Sequence, residues 1–226
     1  MLIRIPNVLS PAQVEACRFE LERADWTDGK ASAGPLTKAV KNNMQVPAGH
    51  PVGRRLGEMV TDALSKHKLF MRAALPLKVL PPSFNRYAGG QSYGNHVDAT
   101  VQHVWGSADR VRTDLSATLF LSAPESYDGG ELTLHDDLGE RAIKLPAGDM
   151  VLYPATSVHR VAPVTRGVRL AAFFWLQSMV REDAKRSLLF DLGTALEQFE
   201  QVLPEHPAVV QLTGVYFNLF RLWTDT

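Results

Sequence analysis

The stretch Tyr93–Thr100, YGNHVDAT, carries a histidine and an aspartate two positions apart, and a further histidine, His159, follows in YPATSVHRVAPV. On an extended segment, side chains at i and i+2 share a face, so His96 and Asp98 can turn an imidazole nitrogen and a carboxylate oxygen toward one point. Two imidazoles and one carboxylate suit a divalent transition metal and leave coordination positions open, the facial arrangement of non-haem Fe(II) oxygenases. Zinc accepts the same donors. Arg169 stands ten residues after His159, at the head of the apolar run LAAFFWL. A guanidinium there needs an anion or a path to solvent, because burying it unpaired is costly. An α-keto acid chelating the metal would bring that anion, since the far carboxylate of 2-oxoglutarate matches the guanidinium fork. Alone, the His-x-Asp triplet is equally compatible with two polar loop residues.

The elements that must position these residues follow from pattern. Ser10-Pro11-Ala12-Gln13 reads as a capping box opening a helix with Val14, Cys17, Leu21 and Ala24 on one face. Cys17 is therefore a core residue rather than a nucleophile. A second helix is expected over Val52–Met71, with Leu56, Met59, Val60, Ala63 and Leu64 inward and His67 continuing that face. From Leu77 the chain turns β-rich: Leu77–Tyr87, Leu115–Ser122, Glu131–Leu134, Ala142–Leu145, Met150–Tyr153, His159–Val164 and Arg169–Gln177. Turns at Gly89-Gly90, Asp128-Gly129-Gly130, Leu138-Gly139, Pro146–Asp149 and Arg166-Gly167 separate them. Short strands at this spacing predict a sandwich, barrel or double-sheet jelly roll. Beyond Ser178, one helix is marked by Val180, Ala184, Leu188, Leu192, Ala195, Phe199 and Val202. A second is marked by Val209, Leu212, Tyr216, Leu219 and Trp223, giving an αα-hairpin. The polar stretches 29–50 and 99–113 either cover a site or merely connect.

Bulk properties narrow the class. A chain of 226 residues, 45% hydrophobic and 21% charged, supports one sizeable domain or one domain with an appended piece. Its formal net charge is zero and its pI about 7.1, which gives no support to an extended phosphate-binding surface, and no nucleic-acid partner is expected. One cysteine forbids an intrachain disulfide and a thiolate zinc cage. The N-terminal residues show no secretory pattern, and no stretch has the apolar length of a membrane span, so the cytoplasm is the expected compartment.

Several segments together resemble a known family. RYAGGQSYGNHVD, RTDLSATLFLS, YDGGELTL, GDMVLYPATSVHRVAPVTRGVR and KNNMQV, with the order H-x-D, H, then R ten residues on, are similar to the bacterial PKHD-type hydroxylases. These are Fe(II)/2-oxoglutarate dioxygenases of the prolyl 4-hydroxylase superfamily. The resemblance spans nearly the whole chain. It implies a mainly β fold with flanking helices (α+β), built on a double-stranded β-helix (jelly-roll, cupin-like) core over about 77–178. An oxygenase domain would occupy 1–178 and a helical extension 179–226. It implies that His96, Asp98 and His159 bind iron, that Arg169 and Tyr87 bind 2-oxoglutarate, and that Trp175 lines the site. It further implies hydroxylation of a small molecule or peptide by O₂, with release of succinate and CO₂. A role for L-ascorbate and a link with bacterial iron uptake come with it. Asp98 argues against the halogenase variant, which lacks this carboxylate, and Trp175 stands where nucleic-acid demethylases place a second arginine.

Two other classes remain. A non-catalytic cupin-like metal- or ligand-binding protein would share the barrel and histidines without needing Arg169, and a zinc hydrolase would lack an evident general base. His103 reads as a solvated loop residue or as one lining a substrate entrance, His135 as an exposed residue beside a turn, and His50 and His206 as neighbours of prolines. The apolar stripe of the C-terminal hairpin is expected to pack on the jelly roll and to contribute to a homo-oligomer.

Overall fold

The computed structural model describes residues 1–35, 37–136 and 139–225. Leu138 of the expected Leu138-Gly139 turn lies outside them. Two antiparallel sheets face each other. In the larger, the strand Val164–Ser178 is the spine: it pairs with Leu115–Phe120 on one side and Ser83–Ala88 on the other. Met150–Pro154 and Ile3–Ile5 extend one edge, and Met44–Gln45 and Thr27–Asp28 the other. The smaller sheet runs Gly139–Ile143, Leu132–Asp136, His159–Val161, Ser92–His96 and Lys41–Asn42.

Strand parity explains why the central strands are buried on both faces. Leu115, Ala117 and Leu119, with Leu170, Ala172, Phe174 and Leu176, pack against helices α1 (Pro11–Glu22), α2 (Pro51–Lys66) and α3 (Lys68–Ala74). The alternate residues of the same strands face the smaller sheet, where Tyr87, Phe120, Tyr127, Leu132, Leu134, Val151, Tyr153, Val161 and Val164 form the inter-sheet core. Arg169 and Trp175 share the parity that looks inward.

Several elements differ from expectation for identifiable reasons. The capping box on α1 forms as read, with Cys17 fully buried. The helix expected over Val52–Met71 is instead α2 and α3, broken at His67. That residue caps α3 by accepting from the Phe70 N–H and bonds the Pro6 carbonyl through Nε2. The strand expected over Leu77–Tyr87 divides into Pro76–Val79 and Ser83–Ala88, because consecutive prolines at 81 and 82 supply no N–H to a ladder. The strand expected over His159–Val164 likewise divides: His159–Val161 belongs to the smaller sheet and Val164 opens the spine of the larger. His96 closes a strand rather than following one.

The C-terminal hairpin consists of α4 (Asp183–Val202) and α5 (Pro207–Trp223). It packs beside α3 and the Met179–Val180 link, not across the sheets: Tyr216, Leu219, Phe220 and Trp223 gather around Leu75, Val180 and Leu189, and Arg72 pairs with Glu197 at 2.7 Å. The inward face of α4 is rotated from the expected stripe. Arg186 and Leu189 are buried while Leu188 is exposed, because the Arg186 guanidinium is drawn in to bond the carbonyls of Val180 and Arg181. No described helix is long and apolar enough to cross a membrane.

Candidate metal centre and anion pocket

His96 and His159 are register partners on neighbouring strands of the smaller sheet. Asp98 lies just past the end of the His96 strand. The carboxylate sits between the rings, with Oδ1 3.9 Å from Nε2 of His96 and Oδ2 3.8 Å from Nε2 of His159. All three ligand atoms fall within 4.8 Å of one another, and the side chains are 5–8% exposed. Each Nδ1 donates to a backbone carbonyl, Gly94 at 2.8 Å and Ser157 at 3.0 Å. That fixes the ring orientation and leaves each Nε2 lone pair turned to the common point. Burial, reinforced by the neighbouring His159, pushes the His96 imidazole down to about 4, so it is neutral near pH 7. Tyr93 stacks on the His96 ring at 3.7 Å, and Tyr153 meets the His159 ring edge-on at 5.3 Å. The donor set and its carbonyl backing fit a divalent transition metal held on one face.

Arg169 comes from the other sheet. It is 1% exposed and is the register partner of Tyr87, with its guanidinium 5.3 Å from the Tyr87 and Phe120 ring centroids. Its hydrogen bond, from Nη1 to Asn85 Oδ1, is long at 3.5 Å, and its Nε has no partner among the described residues. The nearby Tyr127 hydroxyl is also buried and unpartnered. Burial holds the Tyr87 phenol up at about 12 against the pull of Arg169, so it stays a neutral donor. A buried guanidinium with an unpaired N–H, beside phenols held toward their neutral form by burial, can receive an anion. Gly130 makes room for it: a Cβ there would stand 3.0 Å from both Arg169 Cδ and Tyr127 Cε2, at φ +68°.

Both groups line one cavity of about 1390 Å³ that also reaches Trp175. Residues matched by the model of the 2OG-Fe(II) oxygenase superfamily are 82–177, and those matched by the PKHD-type hydroxylase C-terminal domain are 183–225. A PKHD-type hydroxylase of Bordetella pertussis is 55% identical, and the PKHD-type hydroxylase PiuC of Pseudomonas aeruginosa 52%, each with 100% of both chains covered. The chain belongs to the PKHD-type hydroxylase family. It is a hydroxylase of the 2OG-Fe(II) oxygenase superfamily. The fold is that of solved oxygenases. A Pseudomonas putida prolyl-4-hydroxylase matches with TM-score 0.51 and 21% identity over 78% of this chain and 92% of that one. HygX of Streptomyces hygroscopicus, solved with nickel and 2-oxoglutarate, matches with TM-score 0.53 and 19% identity over 80% and 84%.

In this hydroxylase the structure brings all six residues singled out in the sequence to one cavity: His96, Asp98, His159, Arg169, Tyr87 and Trp175. Trp175 is the register partner of Ser116. Ser116 was missed by sequence reasoning, yet its hydroxyl donates to Asp98 Oδ2 at 2.5 Å and ties the carboxylate to the larger sheet. Asn85 and Tyr127 were missed too. Their only signal is polarity at inward-parity positions of strands. His103 lines the cavity, whereas His135 lies beside Glu140 and Arg160 outside it. His50 and His206 cap α2 and α5, each accepting an N–H two residues on and each followed by proline at the first helical position. The hairpin formed by Val101–His103 and Arg110–Arg112 carries Trp105 over Gly49, so the 29–50 and 99–113 stretches meet across the cavity.

Proposed function

We propose that His96, Asp98 and His159 bind Fe(II), that Arg169 with Tyr87 binds the far carboxylate of 2-oxoglutarate, and that Trp175 lines the substrate side. On this reading the chain hydroxylates a small molecule or peptide with release of succinate and CO₂. One observation carries it. A cluster of two imidazoles and a carboxylate shares a cavity with a buried guanidinium whose Nε is unpaired.

Bound iron, with 2-oxoglutarate and O₂, supplies the oxidising chemistry. The chain's own residues set the stage. The carbonyls of Gly94 and Ser157 hold the Nδ1 protons so that both Nε2 atoms face the metal position. Ser116 keeps Asp98 aimed by donating to it. Arg169 and Tyr87 offer the co-substrate donors from buried positions on the cavity wall. L-Ascorbate is the expected external reductant. The reading also takes 1–178 as the oxygenase domain and 179–226 as an extension, with a link to iron uptake, on the resemblance, a cytoplasmic location on the sequence pattern, and a homo-oligomer built on the hairpin's apolar surface.

The test is anaerobic titration of Fe(II) and then 2-oxoglutarate, followed by a substrate screen scored by succinate release. A metal-to-ligand absorption band appearing on 2-oxoglutarate addition is expected. Failure of 2-oxoglutarate to bind the Fe(II) protein overturns the assignment.

A further inference from the structure

The segment Lys41–Val46, KNNMQV, has a use that the metal and co-substrate sites do not account for. Its residues alternate: Lys41, Asn43 and Gln45 are buried at 4%, 2% and 7%, while Asn42 is exposed. Period-2 geometry thus sends three polar side chains into the molecule. The segment bridges the sheets, pairing first with the His96 strand at Tyr93 and then with the Tyr87 strand at Asn85. All three residues line the cavity.

Lys41 is the unusual member, since lysine is almost never buried without a partner. Its ammonium spends one of three donors, on Ser32 Oγ at 2.9 Å, and sits 5.2 Å from the Tyr93 ring centroid. No described carboxylate lies within ion-pair reach. Beside it, both polar atoms of the Asn43 amide are unpartnered. A loaded site makes the imbalance plainer. Divalent iron, Asp98, Arg169 and dianionic 2-oxoglutarate cancel one another's formal charge. Lys41 is then left, among the described residues, as the buried cation of the cavity wall with no carboxylate in contact, Asp98 and Asp28 attracting it only at a distance.

We propose that Lys41, with the Asn43 amide beside it, is the subsite for a carboxylate on the primary substrate. This deepens the hydroxylase reading and rests on it: the substrate class is a carboxylate-bearing molecule, held by its anion while another part reaches the metal. Lys41 is a positioning and specificity residue and takes no part in the chemistry. Burial also pulls its ammonium down to about 8, against the attraction of Asp98 and Asp28.

The test uses the anaerobic Fe(II)·2-oxoglutarate protein and matched pairs of probes: N-acetyl amino acids, short hydroxy acids and dipeptides, each with its amide. The readout is perturbation of the metal-to-ligand absorption band. Carboxylate members are expected to bind about tenfold or more tightly than their amides, a difference of about 1.4 kcal/mol. Lys41→Met should abolish that preference and Lys41→Arg retain part of it, while 2-oxoglutarate affinity stays within about threefold in both, which also reports that each variant folds. The proposal is overturned if no pair shows a carboxylate preference, if Lys41→Met keeps it, or if Lys41→Met weakens 2-oxoglutarate as much as Arg169→Leu does. Absence of the band in the wild-type protein would instead overturn the co-substrate reading, and this subsite with it.

Discussion

His96 and His159 stand opposite each other on adjacent antiparallel strands, their ring centroids 4.2 Å apart and the rings tilted by 50°. Sixty-two residues of chain separate them, so their meeting is a property of sheet register. Each ring is fixed by a carbonyl two residues before it, and both aim Nε2 at the same carboxylate.

Removing any of the three proposed ligands should abolish turnover without unfolding the protein. His96→Ala, Asp98→Ala and His159→Ala are each expected to weaken Fe(II) binding about 100-fold or more, given that even outer-shell partners contribute roughly 10–100-fold. Metal titration and 2-oxoglutarate decarboxylation check this. A variant with near-wild-type decarboxylation would remove that residue from the ligand set.

Ser116 supplies a quieter test. Its hydroxyl is the link from Asp98 to the larger sheet, so Ser116→Ala frees the carboxylate to rotate. Iron affinity should fall roughly tenfold, the lower end for an outer-shell partner, while 2-oxoglutarate binding at saturating metal changes little. Equal iron affinities in the two proteins would mean that Asp98 is held by its backbone alone.

Arg169 should separate co-substrate from metal. Truncating one partner of a buried charge-assisted pair costs about 2–5 kcal/mol, so Arg169→Leu is expected to weaken 2-oxoglutarate roughly 30-fold or more. Fe(II) affinity should barely change, and Arg169→Lys should recover part of the loss as a point charge without the planar fork. Titration followed by the absorption band decides it. Unchanged co-substrate affinity would assign the guanidinium another anion.

The outer surface of the C-terminal hairpin predicts assembly. Val202, Val210, Phe217 and Leu222 are 74%, 78%, 48% and 76% exposed, large apolar side chains left to solvent on one helical hairpin. Sedimentation should report a homo-oligomer, and Val210→Glu combined with Leu222→Glu should shift it to monomer with the absorption band intact. A monomeric wild-type protein would end this prediction.

Cys17 should be inert. It is fully buried, and burial pushes its thiol up to about 11, so the reactive thiolate is scarce at pH 8. Iodoacetamide is expected to label the native protein far more slowly than the urea-unfolded chain, followed by mass spectrometry. Comparable rates would place Cys17 at the surface.

Local chemistry was legible in the sequence wherever it depends on neighbours along the chain. The Ser10–Gln13 capping box, the i, i+2 relation of His96 and Asp98, and the anomaly of Arg169 before an apolar run could all be read directly, because helix ends and strand parity are short-range rules. The family resemblance supplied the partnership of His159 with His96 and of Tyr87 with Arg169. Only the tertiary structure showed why it holds: those pairs are set by strand register across the two sheets. Register also decided what no pattern announced. Ser116 comes to Asp98 from the opposite sheet, and Lys41 enters the cavity because its short strand pairs at Tyr93. The hairpin stripe was misread by a rotation of α4, since periodicity cannot foresee that Arg186 would be drawn inward by the carbonyls of Val180 and Arg181. Which residues can share a face is written along the chain, whereas which faces meet depends on how the sheets pair and pack.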